Sequence, residues 1–456
     1  MMARTQALGR VSTSILVASV LATAVLATGC SQAGLRKQYD AMRPAMTRGD
    51  WKTASAQLEK AKDKVYGEKD RVMYWLNIGA ILHYAKDAQP SSDHLVKAEQ
   101  AMEELWTTSV TAEASKVLVG ETIQSYPGED FEKVLLYYYT AMNNVWMGKM
   151  GDAVTEARRA DELLKKMAIH FEKEGNGGTD YKQDAFMLWL VGLFYEMEGS
   201  FNDAYLAYKA SYAAYKSDYA GLFGQPPPTY LAEDLVRSAM LTGFSDDAAK
   251  WRTETGATGD TAKNLAEMGE VIVFHGNGES PFKRELRFDN QMADGYVMSI
   301  AVPEFVPIPP QVAWAEVNGP GAVSRSETAE PITTIVLHNF KKRLPAIQAR
   351  AIARAATKYL ATKGAQAAAG GQNSGAGLLV GLAANIAAYA TEAADLRSWQ
   401  LLPAEIRIAR VWLPVGKHTL NITYHRGNGS LAGQEQPIEV DVVPGKRTLI
   451  SVRSVL

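Results

Sequence analysis

Two stretches of the chain decide its fold: Tyr137–Ala160, YYYTAMNNVWMGKMGDAVTEARRA, and Leu188–Ser211, LWLVGLFYEMEGSFNDAYLAYKAS. They align without a gap, and in both the apolar residues recur every three to four positions, which predicts helices. A small residue, Ala141 or Gly192, lies in the first helix of each copy, where it allows a second helix to cross closely. A single helical hairpin cannot bury its apolar stripe, so we expect several hairpins to stack side by side.

The spacing of the small residues resembles that of the tetratricopeptide repeat, or TPR. Ala153 and Ala204 fill the small position of the second helix and are 51 residues apart, against about 34 in the motif. An insertion of about 17 residues is therefore needed, and the polar stretch 170–184 is the obvious place for it. Weaker copies flank the two clear ones, so residues 35–255 are predicted to form a TPR-like solenoid.

Aromatic side chains crowd the repeat region. Tyrosine and tryptophan are frequent where proteins bind one another, and a stack of hairpins has a concave face. Two interpretations stay open: the rings pack between helices, or a few of them on the concave face hold a peptide from a partner. The candidate partner-binding residues are Tyr138, Trp146, Trp189, Tyr195 and Tyr208.

The helical pattern fades near residue 256, and short alternating runs with Gly, Pro and Asn turns follow. Residues 256–456 are therefore predicted to be a mixed α/β domain with mainly antiparallel strands, which makes the whole chain α+β. The Gly/Ala stretch 364–377 is expected to be a loop inside this domain. The apolar run 378–391 is short for a membrane span; it is either a buried helix or a segment covered by membrane or a partner.

The single cysteine of the 456 residues is Cys30. A basic start, an apolar run at 14–28 and small residues precede it, as in a secretory signal peptide. Ala27-Thr28-Gly29-Cys30 resembles the lipobox of bacterial lipoproteins, although Ala27 replaces the usual leucine. The resemblance implies a signal peptide at 1–29, acylation of Cys30 and a short linker to residue 34. The alternative is an ordinary signal peptide with a chance cysteine.

Composition argues against several classes of function. With 47% hydrophobic and 21% charged residues and a net charge of −2, the chain is globular and offers no general reason to bind nucleic acid. The seven histidines are scattered, and neither a metal site nor a cofactor site is expected. We find no nucleophile, zinc-protease or phosphate-loop motif, so the chain is interpreted as a non-enzyme.

Four strings in the second half share a wider resemblance. Residues 271–285, 298–305, 392–410 and 413–420 resemble a family of bacterial TPR-containing envelope lipoproteins without an assigned reaction. Their family-like motif residues are Asn277, Gly278, Pro281, Lys283, Asp395, Arg397, Ser398 and Trp399. Asn-Gly is typical of a hairpin turn, and Arg397 is expected either to pair with Asp395 or to bind carbonyl groups.

Two functions remain open. The favoured one is a scaffold, lipid-anchored on the periplasmic face of the bacterial outer membrane, that binds envelope proteins through the TPR groove. The alternative is an envelope carbohydrate-binding protein or enzyme that acts on peptidoglycan or exopolysaccharide through residues 256–456.

Overall fold

The structure is a computed structural model that describes residues 34–111, 122, 124–173, 181–259 and 267–456. The predicted signal peptide at 1–29 and the predicted acylation site Cys30 lie outside these residues. Within them, the chain forms a helical half followed by a strand-rich half, so the predicted α+β class is confirmed.

Ten helices of the described chain form five successive hairpins in the helical half. The first helix of each hairpin is joined to the second by a turn of a few residues. The helices are α1 (residues 34–47), α2 (Trp51–Ala61), α3 (Arg71–Tyr84), α4 (Ala88–Thr111), α5 (Asp130–Trp146), α6 (Met150–Lys173), α7 (Ala185–Glu198), α8 (Phe201–Ala214), α9 (Thr229–Leu241) and α10 (Ser245–Thr255). Part of the predicted insertion at 170–184 is helical, because α6 continues to Lys173.

All five hairpins use the same turn. The first helix ends at a residue whose backbone has the left-handed conformation. The amide of the following residue donates to the carbonyl five positions back, as Ser200 N does to Tyr195 O at 2.9 Å. This is the Schellman ending, which favours glycine because glycine has no Cβ to clash. The left-handed residues are Gly49, Lys86, Gly148, Gly199 and Gly243.

In two of the hairpins the first helix has a glycine where the second helix crosses it closely: Gly192, noted in the sequence, and Gly79. A Cβ added to Gly192 would lie 2.5 Å from Cδ1 of Tyr208, and one added to Gly79 would lie 2.6 Å from Cγ of Leu95. The two glycines are therefore required by the partner side chain rather than by the backbone. This recurring contact makes the hairpins TPR-like.

Three sheets form the strand-rich half. Their strands run in the orders β11-β1-β7-β6, β10-β8-β4-β5 with β9 beside β8, and β2-β3, and only the β1–β11 pairing is parallel. The strands are β1 (Met268–Asn277), β2 (Phe282–Gln291), β3 (Val297–Val306), β4 (Trp314–Gly319), β5 (Ala322–Arg325), β6 (Glu327–Glu330), β7 (Glu405–Pro414), β8 (Gly416–His425), β9 (Leu431–Gln434), β10 (Ile438–Val442) and β11 (Arg447–Ser454).

Asn277-Gly278 does not form the predicted hairpin turn. Gly278 has the expected positive φ of 67°, but β1 pairs with β11 and β7 rather than with β2. The Asn277 side chain is bound by other strands, so the chain leaves the sheet at this point instead of folding back along it.

Two helices, α11 (Ile332–Ala368) and α12 (Gly375–Ala390), form an antiparallel pair against β3. The loop predicted at 364–377 is shorter than expected, because its alanines are strong helix formers and extend α11 to Ala368. Within the described ranges, no helix has both the length and the apolar character that crossing a membrane requires.

The β1 strand is buried on both faces and joins the two halves. Ile272 and Phe274 belong to the core shared with the hairpins, whereas Val271 and Val273 face the five-stranded sheet. The layers are therefore hairpins, four-stranded sheet and five-stranded sheet. One hydrophobic core is continuous between the helices and the sheet, and the strand-rich half covers one face of the hairpin stack.

Candidate functional site

Three of the five candidate partner-binding residues are inside the protein. Tyr138, Trp189 and Tyr208 are each 2% exposed or less. The rings of Tyr138 and Trp189 lie 6.2 and 6.0 Å from the ring of Phe274 in β1. None of the three lines an open groove: Tyr138 and Trp189 pack toward the chain's own sheet, and the Tyr208 ring packs inside its hairpin against Gly192.

The other two candidates lie nearer the surface. Trp146 is half-buried, and its indole N–H donates to the Leu449 carbonyl of β11 at 3.0 Å. Tyr195 is also half-buried, and its hydroxyl accepts from Arg158 at 3.4 Å. Trp146 thus ties a hairpin to the sheet, and Tyr195 keeps a polar contact that is open to solvent.

The family-like motif residues meet at the junction between the hairpins and the strands. Asn277 is fully buried: its amide donates to Glu405 Oε1 at 2.8 Å and to the Val312 carbonyl at 2.9 Å, and its oxygen accepts from Ser454. Pro281, four residues further along the chain, is also buried. This end of β1 is therefore a structural corner.

Lys283 connects this corner to the residue that precedes α5 in the third hairpin. Its ammonium binds the carboxylate of Glu129, which also accepts from Arg343 at 3.0 Å. Burial alone would raise the pKa of Glu129, but the two cations outweigh burial and lower it to about 2. The ammonium lies 5.1 Å above the ring of Phe305.

Arg397 makes both kinds of contact that the sequence suggested. Its guanidinium binds Asp395 at 2.7 Å and donates to the Gln124 carbonyl at 2.8 Å. It also binds Asp70 of the helical half at 2.9 Å. Arg397 is 2% exposed, so a buried cation here connects the two halves.

Ser398 and Trp399 complete the same junction and are 2% and 0% exposed. The backbone N–H of Trp399 donates to Glu132 at 2.6 Å, and the hydroxyl of Tyr126 donates to both oxygens of that carboxylate at 2.8 Å. Burial and the nearby charge of Glu129 raise the pKa of Glu132 to about 7. A carboxyl group with such a pKa suits proton transfer, but Glu132 is 0% exposed and no substrate reaches it.

Two further buried carboxyl groups, Asp184 before α7 and Glu330 in β6, form a pair that links the fourth hairpin to β6. Tyr219 donates to Glu330 at 3.0 Å, and Tyr181 donates to Asp184 at 2.5 Å. Burial raises the pKa of Asp184 to about 6 and that of Glu330 well above its ordinary value. Both carboxyls are 1% exposed, so this pair is also closed to substrate.

A larger ionic network, which the sequence analysis missed, joins α7 and α9 to the sheet. Arg237 binds Glu196 at 2.7 Å, and Arg447 of β11 binds the same carboxylate at 2.7 Å. The available signal was charged residues inside two largely apolar helices, Glu196 in α7 and Asp234 and Arg237 in α9. The members are Glu196, Asp234, Arg237, Glu270, Arg410 and Arg447.

An open cleft lies between α4, α5 and α6, on the helical half. It has a volume of about 150 Å³. Lys133 lies 4.5 Å above the ring of Trp106, and the hydroxyl of Tyr137 donates to Glu99 at 3.0 Å. Burial lowers the pKa of Lys133. The apolar part of the lining comes from Met102, Trp106, Leu136, Leu163 and Met167, and the charged part from Glu99, Glu103, Lys133, Arg159, Glu162 and Lys166.

In the part of the chain that the structure describes, no group of three or more His, Cys, Asp or Glu residues could hold a metal ion. The lining of the cleft offers apolar contact, ionic groups and hydrogen bonds.

The comparisons with known proteins add little to this geometry. No family model and no curated protein matches the sequence. Among solved structures, the chain is similar to the crystal structure of a putative kinesin light chain from Podosopora anserina with nearly identical TPR-like repeats. The identity is 13%, the match covers 49% of this chain and 94% of that one, and the TM-score is 0.31. The description of the hairpins as TPR-like rests on their own turns and close crossings.

Proposed function

We propose that this chain is a lipid-anchored bacterial envelope protein that acts as a non-catalytic scaffold for another protein. The observation that carries the proposal is the contrast between its polar sites. Glu132, Asp184 and Glu330, the buried carboxyl groups described above whose pKa is raised, are sealed, whereas the cleft between α4, α5 and α6 is open and mixes apolar with ionic side chains.

The size of the cleft favours a protein partner. Sites for small molecules usually enclose about 300–1,000 Å³, and this cleft has about half the lower limit of that range. It suits one apolar side chain of a partner, with the charges around the rim pairing with neighbouring residues. An apolar anchor inside a polar rim is the usual anatomy of a protein interface.

The lipid anchor would hold this surface beside a membrane. The first described helix begins at residue 34, and four residues of extended chain span at most about 14 Å. Acylation at Cys30 would therefore place the helical half close to the lipid, on the periplasmic face of the outer membrane. The resemblance of residues 27–30 to a lipobox supports this part of the proposal.

The test is in-cell photo-crosslinking in the native host. A photo-reactive residue replaces Glu103 at the rim of the cleft, and the control replaces Glu68, an exposed residue outside the cleft. We expect a specific envelope protein to be captured from position 103 and not from position 68. Leu163→Arg, which fills the cleft, should abolish that capture, whereas Leu206→Arg on the exposed side of α8 should retain it.

Equal capture from both positions, or capture that survives Leu163→Arg, would refute the cleft as the binding site. A glycan-binding screen with the same variants is the second arm. Binding of peptidoglycan or exopolysaccharide that every one of these helical-half variants retains would point to residues 256–456, refute the scaffold and favour the carbohydrate function.

A further inference from the structure

The free end of the α11–α12 pair is an uncharged apolar surface. Residues 364–391 contain no Asp, Glu, Lys or Arg, although such residues make up 21% of the chain. Large apolar side chains are exposed along this end: Leu378, Leu379 and Leu382 are 60%, 68% and 59% exposed. Exposed leucines this close together mark a surface that is covered by something else.

Charges resume only at the base of the pair, where they are neutralised. Lys363 binds Asp294 in the turn between β2 and β3 at 2.6 Å, and Lys358 binds Glu392 at 2.7 Å. Tyr359 donates to Asp294 at 2.8 Å. The base therefore carries tyrosine and paired lysine, a combination found where proteins meet the lipid headgroups.

The uncharged end has the depth of an interfacial insertion. From Lys363 to the end of α11 at Ala368 and the turn at Ala369, the helical rise of about 1.5 Å per residue gives about 9 Å. Gly381 of α12 packs against Gln366 of α11, so Leu378, Leu379 and Leu382 lie within that depth. Amphipathic segments bury their apolar side about 5–10 Å into the headgroup and acyl boundary.

We infer that the uncharged free end of the α11–α12 pair, called the tip below, inserts into the surface of a lipid bilayer. A protein partner is the weaker match, because binding surfaces for proteins are enriched in Trp, Tyr and Arg, whereas the tip exposes Leu, Ala, Gly, Gln and Asn. The turn is likewise uncharged: it runs Gly370-Gly371-Gln372-Asn373-Ser374, and Ser374 caps α12 by accepting from Gly377 N at 2.9 Å. This contact is separate from the proposed acylation of Cys30 and does not depend on the scaffold function.

Paired charges at the base also set the lipid requirement. Because Lys363 and Lys358 are neutralised within the protein, the binding should not depend on anionic lipid. Partitioning to vesicles of phosphatidylcholine alone should change less than about twofold between low salt and 0.5 M salt, since screening acts on unpaired charges.

The experiment uses the chain from Ser31 onward, which contains every described element and no cysteine. Leu379→Cys at the tip and Leu206→Cys on α8, 52% exposed, are each labelled with an environment-sensitive fluorophore. With phosphatidylcholine vesicles we expect a blue shift and quenching by lipid-borne quenchers at position 379 and neither at position 206. Replacing Leu378 and Leu382 by Ser should lower partitioning at least about tenfold, whereas Leu206→Ser and Val323→Ser should leave it unchanged.

Three results would overturn the inference. One is an equal response at positions 379 and 206, and another is no response at 379 with any vesicle. The third is a blue shift at 379 that appears without vesicles and grows with protein concentration, because it would show that a second copy of the chain covers the tip. Circular dichroism of each variant confirms that the fold is retained.

Discussion

The close crossing of α7 and α8 gives a quantitative prediction for Gly192→Ala. Alanine is about 1 kcal/mol better than glycine in a helix, so the backbone alone would favour the change. The new Cβ, however, would lie 2.5 and 2.6 Å from Cδ1 and Cε1 of Tyr208, whereas carbon atoms in contact are about 3.5–4.0 Å apart.

The Tyr208 ring has no room to retreat. It is 0% exposed, and its hydroxyl donates at 2.8 Å to Glu196, which is itself held by Arg237. Overpacking of this kind costs about 1–3 kcal/mol. Because the ring is fixed we expect the upper part of that range, and hence a net loss of about 2 kcal/mol after the gain in helix propensity.

The control is Gly364→Ala in α11, where a Cβ meets no atom within 4 Å. This variant should gain up to about 1 kcal/mol. Both are measured by urea unfolding followed by circular dichroism, with the slope against denaturant checked for constancy. If Gly192→Ala proves as stable as Gly364→Ala, the reasoning about the hairpin crossing is wrong.

Three further outcomes are expected. Arg397→Met should lower the free energy of unfolding by about 3–5 kcal/mol because it leaves buried carboxylates unpaired. The control, Arg284→Met, removes an exposed ion pair and should lower it by less than about 1 kcal/mol. Urea unfolding measures both variants. Because the pKa of Glu132 is raised to about 7, the folded state binds more protons than the unfolded state between its ordinary value and 7. The contribution of Glu132 to stability therefore falls as pH rises through that window, by up to about 1.4 kcal/mol per pH unit, and Glu132→Gln should remove this slope in unfolding experiments at a series of pH values; parallel profiles would contradict it. Finally, mass spectrometry of the protein from its native host should find residue 30 acylated, and Cys30→Ser should release the protein from membranes; an unmodified Cys30 would refute the anchor.

The hairpins could be predicted from the sequence because their determinants are local. The periodicity of apolar residues, a small residue at 141 or 192 and a glycine at 148 or 199 all lie within one hairpin. The remaining turns follow the same hydrogen-bond pattern, but Lys86 takes the left-handed position in one of them, which hides that copy from a search for glycine.

The covering of the hairpins by the sheet could not be predicted in the same way. The sequence shows that Trp189 and Tyr138 are large aromatic residues at helical spacing. An aromatic residue that packs on the chain's own sheet and one that binds a partner protein have the same spacing in the sequence. What distinguishes them is a contact with Phe274, more than 80 residues away in the chain. No local rule reports such a pairing.

The ionic junctions were partly visible. Asp395 and Arg397 are close in sequence, so their pairing could be anticipated, but Asp70 is distant and its role could not. The same holds for His83, whose Nε2 lies 3.1 Å from Ser451 Oγ and whose pKa is lowered by burial to about 4. Polar residues at apolar helix positions were the signal, and their partners came only from the fold.

The pairing of β1 has a consequence for how the chain is made. In an array of stacked repeats folding can begin at any repeat and spread along the array, because each repeat contacts only its neighbours. Here β1 is paired with residues 447–454. The first hairpin contacts the residue after that strand, through Thr47 and Val455, and the fifth contacts β7, through Asp234 and Arg410. The helices emerge from the ribosome long before β11, the strand that completes the sheet they pack on. Nascent chains arrested before residue 447 should therefore be cleaved by proteases more readily than the full-length chain.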